Sequence, residues 1–563
     1  MKNFTLTVFF ALFLGALAGS CSEAQTINAA SCNTSDVQNA INSAQEGGTV
    51  NIPAGTCTWT SGVTISGKGI TLTGAGTSRV IAISSNQLSL ATGTQTLTIQ
   101  GADPGNPTPS ISTGETLTLQ ETGTESNFMT GTVSSFDAST GALTMNITSD
   151  GGSCGSNSLS NCKRWLISTV PTTATVIVNN AQGSTMGSGG LFSINEDTSV
   201  HTSVGNLQVV AGSTYQDNVV QVNYTSGGQA VLIHDMRITG NPNLTGPPDG
   251  NATMIVMNTN RGVIWNISAE SNPYNISTMG AITVQEDSAD LTNSWKTVSN
   301  MGILDTNGQG EVFAEDNDYH AMNYATSTDN NARAVWRYSL YDNSGVGTHG
   351  ADTSDYGQRY FEFYNNVMTF EGYTDGTTFN VGDWFFLRGG TGLIYNNTIT
   401  PLVSQDYGDK ADWNATVMNL QRNAGPNPCW GSGTSGGAEY HAPRQVGFGY
   451  VTGNGTANDP ADGVNNSLTD SVTYVGDSEP FYIWGNSRSQ LTVAITDYGS
   501  WGGCSNPDTS SNYIVLNRDY FNGTTAKPGW SPYTYPHPLR GSASAPVAGP
   551  AAPTGLTGSV TTE

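Results

Sequence analysis

Tyr360-Phe361-Glu362-Phe363-Tyr364-Asn365-Asn366 runs a short strand into an Asn-rich turn, and the chain repeats the pattern on both sides. Arg337-Tyr338-Ser339-Leu340-Tyr341-Asp342-Asn343 precedes it and Leu393-Ile394-Tyr395-Asn396-Asn397 follows. Fainter copies stand at Val312-Phe313-Ala314-Glu315-Asp316-Asn317 and Val263-Ile264-Trp265-Asn266. Counted from the last Asn of each copy, the spacings are 51, 26, 23 and 31 residues, the first long enough for two turns. A period in the twenties with one strand and one polar turn per unit marks a solenoid. The units carry no helix, so the expected architecture is an all-β parallel β-helix. Its rungs would lie about 4.8 Å apart, which turns residues distant in sequence into neighbours on one face.

Composition agrees with many short strands. Of 563 residues only 11% are Asp, Glu, Lys or Arg, while Gly alone contributes 68. Solenoids lengthen without enlarging a single core, so this length does not require several domains. The formal charge of -25, from 44 acids against 19 bases, argues against nucleic acid as a partner, because phosphate contacts need clustered Lys and Arg. It suits a protein kept soluble outside the cell by mutual repulsion.

Export is also the reading of the N-terminus. Lys2 precedes an apolar run from Phe4 to Ala18, then small and polar residues. That is the pattern of a secretory signal over 1–24 and is too short for a membrane span. Leu17-Ala18-Gly19-Ser20-Cys21 also resembles a bacterial lipobox, with Ala18 where Leu is usual, so Cys21 is a candidate lipid anchor and the one expected link to a membrane. Six cysteines remain, Cys32, Cys57, Cys154, Cys162, Cys429 and Cys504. An even set in an exported chain implies disulfides. Proximity in sequence pairs Cys32 with Cys57, Cys154 with Cys162 and Cys429 with Cys504, out of 15 formal pairings. No pair has the spacing of a zinc site.

Ser35 or Asp36 is placed to cap a helix whose apolar face is Val37, Ala40, Ile41 and Ala44, with Gly47-Gly48 to end it. Short alternating strands follow at Thr49-Val50-Asn51-Ile52, Val63-Thr64-Ile65 and Ile70-Thr71-Leu72-Thr73. Such a helix plugs the open end of a solenoid. The run Asp36-Val37-Gln38-Asn39-Ala40-Ile41, with Gly48-Thr49-Val50-Asn51-Ile52-Pro53-Ala54-Gly55 and Ile70-Thr71-Leu72-Thr73-Gly74, resembles the N-terminal cap of pectate-lyase-like right-handed β-helix proteins. The resemblance implies a right-handed parallel β-helix with a capping helix. It does not choose an activity, since that superfamily holds lyases, hydrolases, esterases, tailspikes and adhesins.

The expected order is therefore cap and first coils over 25–95, a small inserted β module over 96–168, the main β-helix with covering loops over 169–540, and a flexible Ala/Pro/Gly/Ser/Thr tail over 541–563. Within the insert, Phe136 to Ile147 reads as a hairpin, and the segment resembles small β modules inserted in tail-fibre-like exported proteins. Tyr482-Ile483-Trp484-Gly485-Asn486 reads as the last full rung. The Pro-rich Trp530–Pro538 cannot extend a sheet and is expected to fold back over the C-terminal end. Pro428-Cys429-Trp430 and Glu439-Tyr440-His441 read as a disulfide-held covering loop.

Basic residues are scarce, and Arg333, Arg337, Arg359 and Arg388 fall within one stretch of 56 residues together with His349, Asp352, Asp355, Glu362 and Asp383. Two chemistries fit. In β-elimination from a uronate, Arg or Ca²⁺ neutralises the carboxylate while a base removes the α proton. Arg337, Arg359 and Arg388 would serve as clamps or base, with His349 a second base, Asp352 and Glu362 beside them, and Trp336, Tyr360 and Trp384 offering rings for sugar stacking. Leu387-Arg388-Gly389-Gly390 resembles a segment of β-helix alginate-lyase-like enzymes. The hydrolase alternative needs two carboxylates, about 5 Å apart for retention or about 6.5–9.5 Å for inversion, and Asp342, Asp352, Asp355, Glu362 and Asp383 are candidates.

A plainer reading pairs Arg337 with Glu362 and makes the Asn pairs a ladder that satisfies turn amides. It leaves His234, His320 and His441 as isolated structural residues. Glu315-Asp316 and Asp352 with Asp355 are candidate Ca²⁺ acids, without dedicated ligand spacing. The expected function is that of an exported polysaccharide-active protein, a lyase on an acidic glycan ahead of a hydrolase, with a non-catalytic adhesin as the rival class.

Overall fold

The structure is a computed structural model that describes residues 25–102, 108–122, 124–154, 162, 165–181, 190–211, 218–239, 252–270, 279–285, 308, 310–322, 324–329, 332–348, 358–371, 384–402, 418–420, 446–447, 479–487, 493–495 and 514–541. The signal segment, Cys21, His349, Asp352, Asp355, Asp383, the Cys429–Cys504 pair, His441 and the tail beyond Gly541 lie outside the described residues.

The chain forms a right-handed parallel β-helix. Each coil lays strands on three faces. Face 1 stacks Thr49–Asn51, Thr71–Thr73, Val312–Glu315, Arg333–Arg337, Tyr360–Tyr364, Thr391–Tyr395 and Phe481–Trp484. Face 2 stacks Gly55–Trp59, Thr175–Asn179, Asp318–His320, Leu340–Asp342, Val367–Glu371 and Thr398–Leu402. Face 3 runs from Val63–Ile65 through Gly345–Thr348 to Val493–Ile495. Side chains alternate in and out along each strand. Ile233, Ile264, Ala314, Trp336, Phe363 and Ile394, paired rung on rung, thereby fill the interior.

Where faces 1 and 2 meet, one residue per coil adopts a left-handed backbone. Asn206, Asp235, Asn266, Asp316, Tyr338, Asn365, Asn396 and Gly485 have φ between 50° and 63°. Asn, Asp and Gly tolerate that region best, which is why the corner reads as Asn-rich in the sequence. The next position points inward. There Asn317, Asn366, Asn397 and Asn486 cap the backbone amide of the rung below through their side-chain oxygens, with Ser339 taking the same place in its own coil. The ladder expected from the Asn pairs is real, but its register is different. Ser339, not Asn343, stands over Asn317 and under Asn366, and Asn343 marks the following corner with φ 48°. The interval of 51 residues is likewise one turn and not two, since Gly262–Glu270 pairs directly with Val312–Glu315 and with Asp318–His320.

Helix Thr34–Ser43 closes the N-terminal end by burying Val37, Ala40 and Ile41. Its N-cap is Asn33 rather than Ser35 or Asp36, and it stops at Ser43, ahead of Gly47. Asp36 instead accepts a hydrogen bond from Ser31 at 2.6 Å. Disulfides join Cys32 to Cys57 and Cys154 to Cys162 as expected. No described helix is long and apolar enough to cross a membrane.

The insertion interrupts the second coil between Thr71–Thr73 on face 1 and Thr175–Asn179 on face 2. It is a seven-stranded antiparallel sheet running from Val80–Ser84 to Trp165–Thr169, so it starts upstream of residue 96. Leu97, Leu117, Leu119, Met129, Leu143 and Met145 give it a core of its own. The expected hairpin is present, with Thr124–Asp137 paired to Ala142–Gly151.

The C-terminus departs from expectation. Tyr520–Gly523 adds one more strand beyond Phe481–Trp484. The Pro-rich segment then does not cover the end of the solenoid but runs back along the outside of face 1. Trp530 packs edge-on against Trp484, Tyr395 and Tyr364, Tyr533 against Phe313, and Arg540 lies over Trp265. The outward residues of face 1 are apolar and aromatic over several rungs, and a strap without regular hydrogen bonding is what Pro-rich sequence supplies to cover them.

Candidate functional site

Face 1 holds Arg333, Trp336, Arg337, Tyr360 and Glu362, and the strap contacts Arg337, Tyr360 and Glu362. Glu315, Arg337 and Tyr364 occupy the same position on successive rungs. Arg337 is fully buried and bonds Glu315 through Nε at 2.8 Å and through Nη2 at 2.6 Å. It also donates to the Tyr364 hydroxyl at 2.9 Å and to the carbonyls of Tyr533 and Thr534. Burial opposes the charge on Glu315, but Arg337 and Arg540 outweigh it and hold the carboxyl below its usual range. Arg337 therefore pairs with Glu315 and not with Glu362, because Glu362 stands opposite Val335. Glu315-Asp316, considered for Ca²⁺, is taken by Arg337, Arg540 and the Tyr535 hydroxyl.

The other arginines do not join it. Arg359 is fully buried and pairs with Glu479 at 2.8 Å. Arg388 donates to the Thr348 carbonyl at 3.1 Å and lies over Phe386. Arg333 is buried, with its amide bonded to Asn260 at 2.7 Å. Trp336 and Trp384 belong to the solenoid interior, and Tyr360 bonds the Tyr533 hydroxyl under the strap. Their ring faces are used in packing and are not open to a sugar. Glu362 is buried beside the Tyr360 hydroxyl and the Trp530 indole. The side-chain alternation of a strand explains the outcome: a charged residue in a sequence dense with aromatics lies beneath whatever covers them.

Face 2 presents a different surface. Its outward positions at successive rungs are Arg237, Ser268, Asp318, Leu340 and Val367 in one column, and Thr239, Glu270, His320, Asp342 and Thr369 in the next. Leu340 and Val367 pack on Val80, Ile83, Ala102 and Leu166 of the inserted sheet. Beside that apolar contact, Arg237 bonds Gln120 at 2.9 Å, Ser78 at 3.0 Å and Ser168 at 3.3 Å, and pairs with Glu270 at 3.5 Å. The insert is thus bolted to face 2 by a buried cation.

Between these anchors His320 is held by two carboxylates. Its Nε2 lies 2.8 Å from Asp318 Oδ2 and its Nδ1 3.0 Å from Asp342 Oδ2. The ring is fully buried. Burial alone would lower its pKa, but the two carboxylates outweigh burial and raise it to about 9, so it is an imidazolium at neutral pH. Asp342 Oδ1 accepts from Asn343 Nδ2 at 2.8 Å and from Thr369 Oγ1 at 3.3 Å. His320 is therefore not isolated. The signal was in the sequence once the register is right: Asn317-Asp318-Tyr319-His320 stacks on Ser339-Leu340-Tyr341-Asp342.

Asp342 and Thr369 form the floor of a cleft of about 250 Å³ at the seam between insert and solenoid. The insert supplies its walls, among them Ser84, Asn86, Thr98, Gln100, Thr122 and Trp165. Asn86, Thr98 and Gln100 are exposed at the mouth, while Trp165 is buried and donates its indole N–H to the Asn86 carbonyl at 3.0 Å. The lining is hydroxyl, amide, carboxylate and hydrocarbon, without a cation. Among the described residues no group of three or more His, Cys, Asp and Glu is arranged to hold a metal ion.

No known protein family matches the chain, and no curated protein does. Among solved structures the chain is similar to the tailspike gp61 of Pseudomonas phage phi297, at 11% identity over 86% of this chain and 76% of that one, with a TM-score of 0.19. At that TM-score the likeness supports no functional argument, and the fold rests on the strand pairing described above.

Proposed function

We propose that this is an exported carbohydrate-binding β-helix protein, and that the seam cleft between the inserted sheet and face 2 is where the sugar sits. The observation that carries the reading is the cleft itself. It is concave, lies between two structural units, and converges hydroxyl, amide and carboxylate groups beside Trp165 and two isoleucines. Clefts between units are favoured ligand sites, and a few placed polar groups among apolar ones set orientation. Hydroxyl-rich ligands match such a lining because every sugar hydroxyl both donates and accepts. The acidic-glycan lyase expected from the arginines has less support, since Arg337 and Arg359 are buried in ion pairs. The two disulfides agree with an oxidising compartment.

The test is a screen of the purified mature protein against alginate, pectate, hyaluronan and neutral glycans, reading binding, ultraviolet absorbance and new reducing ends together. Binding that Asn86→Ala weakens supports the cleft. Absorbance rising on a uronate polymer would restore the lyase, and reducing ends alone would indicate a hydrolase. Absence of binding to every glycan would refute the carbohydrate reading.

A further inference from the structure

We infer that Arg237 is a positioning residue for the seam cleft, so that sugar binding and the seating of the insert on face 2 are one coupled equilibrium; this rests on the carbohydrate reading above. The cleft has no frame of its own, because the solenoid supplies its floor and the insert its walls. A sugar held there touches both units. Whatever fixes the insert on face 2 therefore fixes the geometry of the cleft. Arg237 is 5% exposed and belongs to face 2. Its Nη1 lies 3.0 Å from Ser78 Oγ and 3.3 Å from Ser168 Oγ, and its Nη2 lies 2.9 Å from Gln120 Oε1.

Those three partners sit on the strands that build the wall. Ser78 leads into Val80–Ser84, Ser168 lies in Trp165–Thr169 and Gln120 lies in Thr116–Glu121. Trp165–Thr169 pairs with both of the others, so the three strands form one hydrogen-bonded unit. Arg237 grips that unit at its two legs, through Ser78 and Ser168, and at its middle, through Gln120. The far ends of the same strands, Ile83, Ser84 and Trp165, line the cleft, as does Thr122 two residues past Gln120. Arg237 itself does not line it. It stands three rungs from Leu340 in one column, about 14 Å at the usual rung spacing. The rest of the seat is the apolar contact of Leu340 and Val367 with the insert. Apolar contact is non-directional and permits sliding and tilting, whereas a planar guanidinium bonded on three sides sets one register. Glu270, 3.5 Å from Nη2, supplies the countercharge that lets the cation stay buried. Linkage makes the coupling reciprocal: a sugar that binds the seated insert strengthens the seating by the factor that seating strengthens binding.

The experiment titrates hexasaccharides of cellulose, starch, alginate and pectate into the full protein and into Arg237→Met, Arg237→Lys and Arg337→Met. Arg237→Met should weaken the hexasaccharide that binds the wild type by at least about fivefold, the low end of coupling between sites. Arg237→Lys keeps a donor for the insert and should recover part of the loss. Arg337→Met breaks a buried ion pair whose partners belong to face 1 and the strap. It should leave binding unchanged, which separates positioning from lost stability. Ser78→Ala with Ser168→Ala keeps the cation and Glu270 in place, should weaken the same hexasaccharide, and serves if Arg237→Met folds poorly. Trypsin gives the reciprocal reading, since Arg79 is exposed on the leg that enters Val80–Ser84. Arg237→Met should be cut there sooner than the wild type, and the saturating hexasaccharide should slow the cut. Wild-type affinity in Arg237→Met and in the double serine variant would overturn this inference and leave the carbohydrate reading intact. An equal loss in Arg337→Met, or cleavage at Arg79 that bound sugar does not slow, would overturn it as well. Binding of no hexasaccharide to the wild type would overturn the carbohydrate reading and this inference with it.

Discussion

Raising the pH should loosen the solenoid through a single histidine. His320 is fully buried and lies between Asp318 on its own strand and Asp342 on the next rung, with Glu270 on the rung before. Its pKa is raised from 6.5 to about 9. A group whose folded pKa is raised stabilises the native state fully below its unfolded pKa and loses that contribution as pH climbs through the folded one. The window is therefore pH 6.5 to about 9. At about 1.4 kcal/mol per pH unit, the contribution lost across it is roughly 3 kcal/mol. The assay is urea unfolding of the wild type and of His320→Gln at several pH values between 6 and 10. The variant should be less stable at pH 6, because two carboxylates then face a neutral amide, and its stability should change much less across the window. Groups other than His320 titrate in both proteins and cancel in the difference. Ring-carbon NMR of the six histidines supplies a reading that needs no variant: one ring should titrate near 9. Parallel curves for the two proteins, or no ring titrating well above 6.5, would refute the reasoning.

Other outcomes follow from the same packing. Arg337→Met should destabilise the protein by about 3 kcal/mol, since Glu315 keeps Arg540 as its cation but the buried Tyr533 carbonyl, the Thr534 carbonyl and the Tyr364 hydroxyl lose a partner, and thermal unfolding should show it with glycan binding in the cleft unchanged. Asn397→Ala removes the acceptor of the Asn366 amide N–H and the donor to the Phe363 carbonyl; leaving such buried groups unsatisfied costs about 1–3 kcal/mol each, measurable as a lower urea midpoint. Replacing Cys154 and Cys162 by Ser opens a loop with a sequence separation of 8. Chain entropy puts the loss at about 2.5 kcal/mol, and it should appear as earlier proteolysis of the inserted sheet with the solenoid intact.

Much of the fold was legible because a β-helix writes its corner into the sequence. The left-handed position wants Asn, Asp or Gly, and the inward position wants a side chain that caps an amide, so Asn365-Asn366 and Asn396-Asn397 announce themselves. Tyr338-Ser339 fills the same corner with different residues, and that one substitution moved the apparent register to Asn343. With the slip corrected, His320 falls under Asp342. Interior aromatics were harder to place, since Trp336 and Tyr360 belong to strands that are buried on both sides, by the core within and by the strap without. Alternation does not tell such a strand from one with a wet face. The strap was foreseen as irregular from its prolines, but its course depends on which face most needs cover. That is a property of the stacked rungs rather than of residues 530–538. The insert was visible as strands, whereas its seat on face 2 depends on Leu340, Val367 and Arg237, which carry no local signal.

Hydrogen exchange of the protein, with and without a neutral oligosaccharide that binds it, addresses the cleft most directly. Slower exchange confined to 83–86, 98–100 and 122, with 340–342 and 367–369 beneath them, is the expected result. Protection confined to other segments, with these amides unchanged at saturating sugar, would contradict the assignment of the seam as the binding site.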